Sequence, residues 1–418
     1  MSDPHYLRRV VSLGDKCRVV THRPITNERG IKLVDSGVHI TTSLYDKLVM
    51  HKLLPELDEC LSVENAVTPQ SVVADIRQLL ASNFGQLLGA SVDVDQLLAM
   101  FAAIPLNRVL AFKLTVVREQ APGIYRHSLD VALCAAVLSM HLPATRQKLQ
   151  IEAAAAGLLH DLGLLHIDPV LLEGDAPLSE AGRRHIYSHP VVGHLLLSRF
   201  SEWHPVVSRA VLEHHERLDA SGYPRGLAGA ELGRLGQLLA VAELAATLFS
   251  REHFMPLADC IHIILRLNQG KLNPDICALL TGIALHGDAR AQVPTAAPAY
   301  ADVLAELIAL STAIQSWRGM LPDFGKQPVI AWISDRLELV ERNLAGVGID
   351  LQYWAMVDAA LPDDQLALRE LLVGVKEGRW QLRAIAQEVH RRWDDVPPAI
   401  QPSVRNWLQH VEEPAPGG

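Results

Sequence analysis

Ten of the chain's 19 histidines fall between His127 and His215. Four short runs in this region, and a fifth beyond it, carry candidate imidazole or carboxylate donors. They are YRHSLDVA with His127, LLHDLG with His160 and Asp161, SHPVVGH with His189, EHHERLDASGYPRG with His214 and His215, and, further on, VAELAATL with Glu243. Nitrogen and oxygen donors of this kind make a borderline ligand set that suits Fe, Mn, Zn, Ni or Co. A carboxylate directly after a histidine can turn one oxygen to each of two ions. Two ions about 3.5–4 Å apart can clamp a phosphodiester and activate a water. Each run also has an ordinary reading. His127 fits a solvated first helical turn, and His189 before Pro190 fits a loop. His214 and His215 are ambiguous alone, since adjacent helical residues point about 100° apart. His160-Asp161 is harder to dismiss. An aspartate at the end of an alanine-rich apolar helix is buried and needs a partner, and a metal ion is a natural one.

The elements that must position these residues are helical. Residues 16–42 alternate in a strand-like way (CRVVTH, GIKLVDSG, VHITTS), with turn signals at Asn27–Gly30 and Asp35–Gly37. The next segment, SLYDKLVMHKLLPELDECL, has helical periodicity with Thr42 or Ser43 as its cap. Thr68-Pro69 opens a helix, helical patterns cover 71–90 and 93–118, and Ala121-Pro122-Gly123 breaks the chain. Helix then runs through 124–290 apart from polar loops at 168–179 and 219–230. Ala291–Pro298 reads as a linker, amphipathic helices cover 299–411, and EEPAPGG is a frayed tail. The expected organisation is a small β-plus-helix regulatory module (1–66), a helical connector (67–120), a central domain (121–290) and a C-terminal helical domain (299–411). Six of the seven tryptophans lie in this last part, where core packing and a partner surface are both open.

At 418 residues the chain has room for two to four domains of about 100–200 residues each. With 49 % apolar and 20 % charged residues it is neither disordered nor collagen-like. A net charge of −9 and a pI near 6.1 argue against a nucleic-acid backbone binder. A small anionic ligand held through metal ions is compatible with that balance. The five cysteines are scattered and form no CxxC pair, so neither a disulfide framework nor a cysteine zinc site is expected. The opening MSDPHYLRRVVSL lacks a secretory apolar stretch, and the most apolar windows, 131–142 and 235–249, are short or interrupted. The expectation is a cytoplasmic protein with no membrane segment.

The run from about residue 120 to 290 resembles the HD-GYP family, the bacterial phosphodiesterase branch of the HD superfamily. The HD pair (His160-Asp161), the HHER run (His214–Arg217) and the GYP triplet (Gly222, Tyr223, Pro224) carry the resemblance. It implies a mainly α fold with an HD-type helical domain between a small N-terminal β-containing module and a C-terminal helical extension. It implies hydrolysis of cyclic di-GMP to pGpG or GMP with two divalent metal ions, iron or manganese first. By the same resemblance, His127, His160 and Asp161 hold one metal with Glu243 completing it. His189, His214 and His215 hold the second, with Asp161 bridging. Gly222, Tyr223 and Pro224 shape the pocket or a partner surface, and Arg251 contacts a phosphate or base. A protein partner at the GYP loop or the flanking helices, and a homodimer, are open.

Departures from the family pattern weigh on activity. The family's HD-x-GK lysine contacts a phosphate, and here Leu164 holds that place, with no lysine from Leu149 to Gln269. One lost charge-assisted contact costs about 1.5–3 kcal/mol. The last ligand is Glu243 in place of aspartate. Gly123 stands where three-metal members have glutamate, which points to two metals. Ala220 replaces a loop glycine, tolerable unless the backbone needs positive φ. The first reading is an active cyclic di-GMP phosphodiesterase. The alternatives are a weakened or inactive relative serving as a nucleotide sensor or interaction module, and an HD-type phosphohydrolase with another substrate.

Overall fold

The computed structural model describes residues 3–143, 147–173, 179–201, 205–249, 257–287, 299–324, 327–351 and 364–412. The chain is mainly α, with a few short N-terminal strands, and it divides into two compact units, Met1–Ser250 and Arg251–Gly418.

The first unit opens with a helix that the sequence pattern had not suggested, α1 (Pro4–Lys16). Its cause is local. The Asp3 carboxylate accepts from the amides of His5 and Tyr6 at 2.9 and 3.2 Å, and Pro4 occupies the first turn, where no amide proton is needed. Tyr6, Leu7, Val10, Val11 and Leu13 form its buried stripe. Five short strands follow: β1 (Val19–Thr21), β2 (Ile25–Asn27), β3 (Lys32–Val34), β4 (Leu53–Leu54) and β5 (Leu61–Val63). β1 pairs antiparallel with β5, and β2 lies between β3 and β4. VHITTS contributes a single bridge, His39 to Val20, rather than a strand. The helix expected over 43–61 is cut into α2 (Tyr45–Val49) and α3 (Leu57–Cys60). Pro55 lacks an amide proton and cannot continue a helix, and Leu54 instead pairs with Thr26 of β2.

Four helices connect this module to the histidine-rich region: α4 (Pro69–Leu79), α5 (Asn83–Gly89), α6 (Val94–Ala102) and α7 (Arg108–Gln120). The stretches 71–90 and 93–118 are each two helices. Ser82 and Asn107 interrupt them because their side chains accept from the amides of Gly85 and Leu110 and so start new helices. The region itself comprises α8 (Pro122–His141), α9 (Gln147–Leu159), α10 (Pro169–Glu173), α11 (Glu180–Ile186), α12 (His189–Leu197), α13 (Pro205–Glu213) and α14 (Arg234–Phe249). α8, α9, α13 and α14 pack against one another, and the alanines at 153–156 are fully buried between them. The polar segment 168–179 contains α10, while 219–230 is a loop as expected.

The second unit is built from α15 (Leu257–Leu267), α16 (Pro274–Gly287), α17 (Tyr300–Phe324), α18 (Pro328–Gly346), α19 (Gln365–Arg391) and α20 (Gln401–Glu412). α15 packs on α18 and α19, and Leu267 joins their apolar core. Residues 257–287 thus group with the C-terminal helices, not with the central domain. Periodicity identifies an apolar face but not the core it will join. Trp317 and Trp407 anchor that core with ring centroids 4.9 Å apart. Their indole N–H groups donate to Ser334 Oγ and the Ala313 carbonyl. Trp332 and Trp393 are half-buried and covered by Arg392 and Arg405, and Trp380 is exposed. Trp354, the linker at 291–298 and residues 413–418 of the tail lie outside the described residues, while the first tail residue, Glu412, ends α20. Among the described residues no helix is long and apolar enough to cross a membrane.

Candidate metal centre

Three of the histidines are oriented by one repeated device. The last four carbonyls of a helix have no partner within it. His160 follows α9 and its Nδ1 donates to the Gly157 carbonyl at 2.7 Å. His214 follows α13 and donates from Nδ1 to the Val211 carbonyl at 2.6 Å. His189 does the same for α11, to the Ile186 carbonyl at 2.7 Å. Each ring spends its Nδ1 proton on a helix end and turns Nε2 inward, which is how a ligating imidazole is held in orientation.

The Nε2 atoms converge. His189 Nε2 and His214 Nε2 are 3.2 Å apart. With both Nδ1 positions protonated, two neutral rings would face each other with lone pairs, a repulsive contact unless a cation or proton lies between them. Two nitrogens each about 2.1 Å from one ion lie about 3.0–3.4 Å apart, so the spacing fits adjacent ligands of a shared metal. His160 Nε2 is fully buried with no hydrogen-bond partner. It stands 3.2 Å from Asp161 Oδ2 and 3.3 Å from Glu243 Oε2. His127 Nε2 lies 2.9 Å from the same glutamate oxygen. The other Asp161 oxygen, Oδ1, lies 3.3 Å from His189 Nε2 and 3.9 Å from His214 Nε2. The two oxygens of one carboxylate therefore face two separate histidine groups. Donor atoms of His127, His160 and Asp161 fall within 4.8 Å of one another, as do those of His189, His214 and His215. The extra methylene of Glu243 does not take its carboxylate out of reach.

Protonation follows from the surroundings. Burial opposes charge on His127 and His160, but the neighbouring carboxylates of Glu243 and Asp161 outweigh it and raise both rings, His160 well above the ordinary imidazole range. Burial also opposes charge on Asp161 and Glu243, yet the adjacent imidazoles hold both carboxyls well below the usual carboxylate range. Burial and the surrounding rings push His214 down to about 3, and burial with His214 lowers His215 far below its usual value. His214 and His215 are therefore neutral imidazoles near the ionised Asp161 carboxylate at neutral pH.

The GYP loop closes one side. The Tyr223 ring stacks on His215 at 4.6 Å and on Tyr187 at 4.2 Å, and its amide donates to the His215 carbonyl at 3.1 Å. Pro224 follows through a cis peptide bond. A side chain at Gly222 would collide with the backbone of His215 and Glu216, and one at Gly163 with the backbone of His189. Only glycine permits these approaches. Two buried acids pin the loop. Glu216 accepts from the amides of Arg225 and Leu227 at 2.7 and 3.0 Å. Glu213 accepts from Arg209, Arg225 and the Gly233 amide. Ala220 does adopt positive φ, +61°, the conformation in which a glycine carries no penalty.

The structure thus gathers His127, His160, Asp161, His189, His214, His215 and Glu243 in one place, with Gly222, Tyr223 and Pro224 beside them. Arg251 lies outside the described residues. Leu164 is half-buried on the 3-10 turn Leu162–His166 directly after Asp161, and Gly123 is exposed in the first turn of α8. The supporting roles of Glu213, Glu216 and Tyr187 escape the sequence reading. The signal for the two acids was their place around the histidine pair on an otherwise apolar helix end, where an uncompensated carboxylate would be costly.

A family model for the HD domain matches residues 115–255. The chain is similar to the 3'3'-cGAMP-specific phosphodiesterase 3 of Vibrio cholerae serotype O1, 27 % identical over 183 residues, 43 % of this chain and 39 % of the relative. It is similar to the cyclic di-GMP phosphodiesterase PA4108 of Pseudomonas aeruginosa, 31 % identical over 31 % of this chain and 32 % of the relative. It also resembles the cyclic di-GMP phosphodiesterase response regulator RpfG of Xanthomonas campestris pv. campestris, 32 % identical over 36 % of this chain and 41 % of the relative. The matched stretch spans about a third to two-fifths of these curated relatives. Among solved structures, Bd1817, an HDG"Y"P protein from Bdellovibrio bacteriovorus, gives a TM-score of 0.36 at 16 % identity over 64 % of this chain and 94 % of that chain. A likeness of that size says nothing about the site.

Proposed function

We propose that the chain, whose residues 115–255 match a family model for the HD domain, is a metal-dependent phosphodiesterase of the HD-GYP kind acting on cyclic dinucleotides, with cyclic di-GMP the first substrate and pGpG or GMP the product. The observation that supports it best is the Asp161 carboxylate, whose two oxygens face two histidine groups at 3.2 and 3.3 Å. His127, His160 and Glu243 would hold one divalent ion and His189, His214 and His215 the other, with Asp161 shared between them. Iron and manganese suit these donors. Two bound ions would supply charge neutralisation and an activated water at the scissile phosphorus. The chain's own residues do the rest. The helix-end carbonyls under His160, His189 and His214 fix the Nε2 directions. Asp161 and Glu243 supply the negative charge of the site, and the Tyr223 stack holds His215 in place.

A second reading keeps its footing on one residue. Leu164 cannot donate to a phosphate, which favours a weakened enzyme or a nucleotide sensor over a fast hydrolase. The two are separated by a substrate panel on metal-reconstituted wild-type protein, comparing cyclic di-GMP, 3'3'-cGAMP and a phosphomonoester side by side. Turnover of a cyclic dinucleotide with little action on the monoester supports the proposal. Nucleotide binding without turnover would support the sensor, and a preference for the monoester would point to a different phosphohydrolase.

A further inference from the structure

Asp161 Oδ1 and His189 Nε2 meet at 3.3 Å, and each of these residues is carried by a segment that touches α1. Asp161 is followed at once by the 3-10 turn Leu162–His166, whose Leu164 amide donates to the Asp161 carbonyl at 2.9 Å. Gly163 of that turn lies against the His189 backbone, so close that a Cβ there would stand 2.0 Å from the His189 carbonyl oxygen. The far end of the turn, His166, is fastened to α1. Asp3 does two things here. Its Oδ1 accepts from the His5 and Tyr6 amides and starts the helix, while its Oδ2 accepts from His166 Nδ1. The His166 ring stacks on Tyr6 with centroids 4.9 Å apart, and Lys113 of α7 places Nζ 3.9 Å over the same tyrosine. A second contact reaches the other ligand. The His5 ring lies 5.5 Å from that of His185 on α11, and the last residue of α11, Ile186, offers the carbonyl that orients His189.

Ligands act only where the segments behind them are fixed, and groups that orient a ligand from behind are worth about 10–100-fold in metal affinity. A bond from an imidazole N–H to a carboxylate is of the strong, charge-assisted kind. Resting on the two-metal reading, we propose that Asp3 and His166 are positioning residues for the metal centre, and that α1 is a strap through which the N-terminal module sets the spacing of Asp161 and His189. The strap reaches His189 twice, through Gly163 and through α11, whereas His127 and Glu243 come from α8 and α14. Its release therefore weakens the ion held by His189, His214 and His215 more than the ion held by His127, His160 and Glu243.

The test is a manganese titration of the metal-free full chain, read by the electron paramagnetic resonance of free Mn²⁺, with His189→Ala marking the binding step that belongs to the second histidine group. His166→Phe keeps an aromatic ring on Tyr6 and loses the bond to Asp3. Asp3→Ser keeps a helix cap and cannot reach His166. His166→Asn loses the ring and keeps an N–H where Nδ1 stood. The His189 step should be at least about tenfold weaker in His166→Phe and in Asp3→Ser, with the other step within about threefold of wild type. His166→Asn should bind nearly as wild type does, whereas a mere packing role for His166 would reverse the order of the Phe and Asn variants. Two normal steps in wild type with an unmoved His189 step in the Phe and Ser variants would overturn this inference alone. Equal loss of both steps, or an Asn variant weaker than the Phe variant, would do the same. Wild-type protein that takes up no manganese would overturn the two-metal reading and this inference with it.

Discussion

Glu216 offers the sharpest test of how the GYP loop is held against the histidines. Its carboxylate is 1 % exposed and accepts two backbone hydrogen bonds, from Arg225 at 2.7 Å and Leu227 at 3.0 Å. Glu216→Gln keeps the shape and one oxygen. The retained bond drops from charge-assisted to neutral, and the new amide N–H₂ faces a backbone N–H that no longer has an acceptor. With charge-assisted bonds worth about 1.5–3 kcal/mol and an orphaned buried donor costing about 1–3 kcal/mol, the expected loss is about 3 kcal/mol. Urea unfolding of the two proteins under identical metal-free conditions measures it. Tyr223 donates its amide to His215 from the same loop, so the substitution should also weaken metal binding at the second histidine group more than at the first. A loss under about 0.5 kcal/mol with unchanged metal affinity would refute the idea that Glu216 anchors the loop.

Other expectations follow from single residues. Leu164→Lys restores one charge-assisted phosphate contact, about 1.5–3 kcal/mol, and should raise kcat/KM for cyclic di-GMP roughly ten- to a hundredfold in steady-state assays. An unchanged rate would mean that position 164 does not reach the substrate. Ala220→Gly removes a left-handed alanine at φ +61° and, after the entropy that glycine loses, should stabilise the fold by about 0.5–1 kcal/mol in thermal unfolding. Asp3 gives a pH signature. Burial disfavours its carboxylate, but the His166 bond and two amides outweigh this and depress its pKa below 3.8. A depressed carboxyl stabilises the fold fully above the unfolded value and loses that contribution as pH falls through the folded one. Wild type should therefore exceed Asp3→Ala by about 1 kcal/mol at pH 7, with the gap closing as pH falls below the ordinary aspartate value.

Much of the site is legible in the sequence because ligand chemistry leaves a local trace. His160-Asp161 ends an alanine-rich helix where a charge has no reason to be, and the HHER and GYP runs are adjacent in sequence as well as in space. Glu243 is different. It lies on an apolar helix far from the other runs, and only the family resemblance ties it to His127. The helix-end hydrogen bonds that aim the three Nε2 atoms are not legible, since they depend on where each helix stops to within one residue. The same is true of the break at Pro55, where a pairing with β2 overrides helical periodicity, and of α15, whose apolar face could have served either core. The Asp3 cap that creates α1 is visible as a dipeptide, Asp-Pro, whose meaning becomes plain only with the apolar stripe that follows it.

The central claim is that one carboxylate, Asp161, joins two histidine groups into a two-metal site. The most direct measurement is metal content and cyclic di-GMP turnover on the same anaerobically purified sample, beside a His160→Ala/Asp161→Ala double variant. About two equivalents of iron or manganese per chain are expected in wild type. In the variant both ions should be bound more weakly and turnover should be lost. Metal-free wild-type protein that hydrolyses the dinucleotide, or a double variant that keeps both ions, would contradict it.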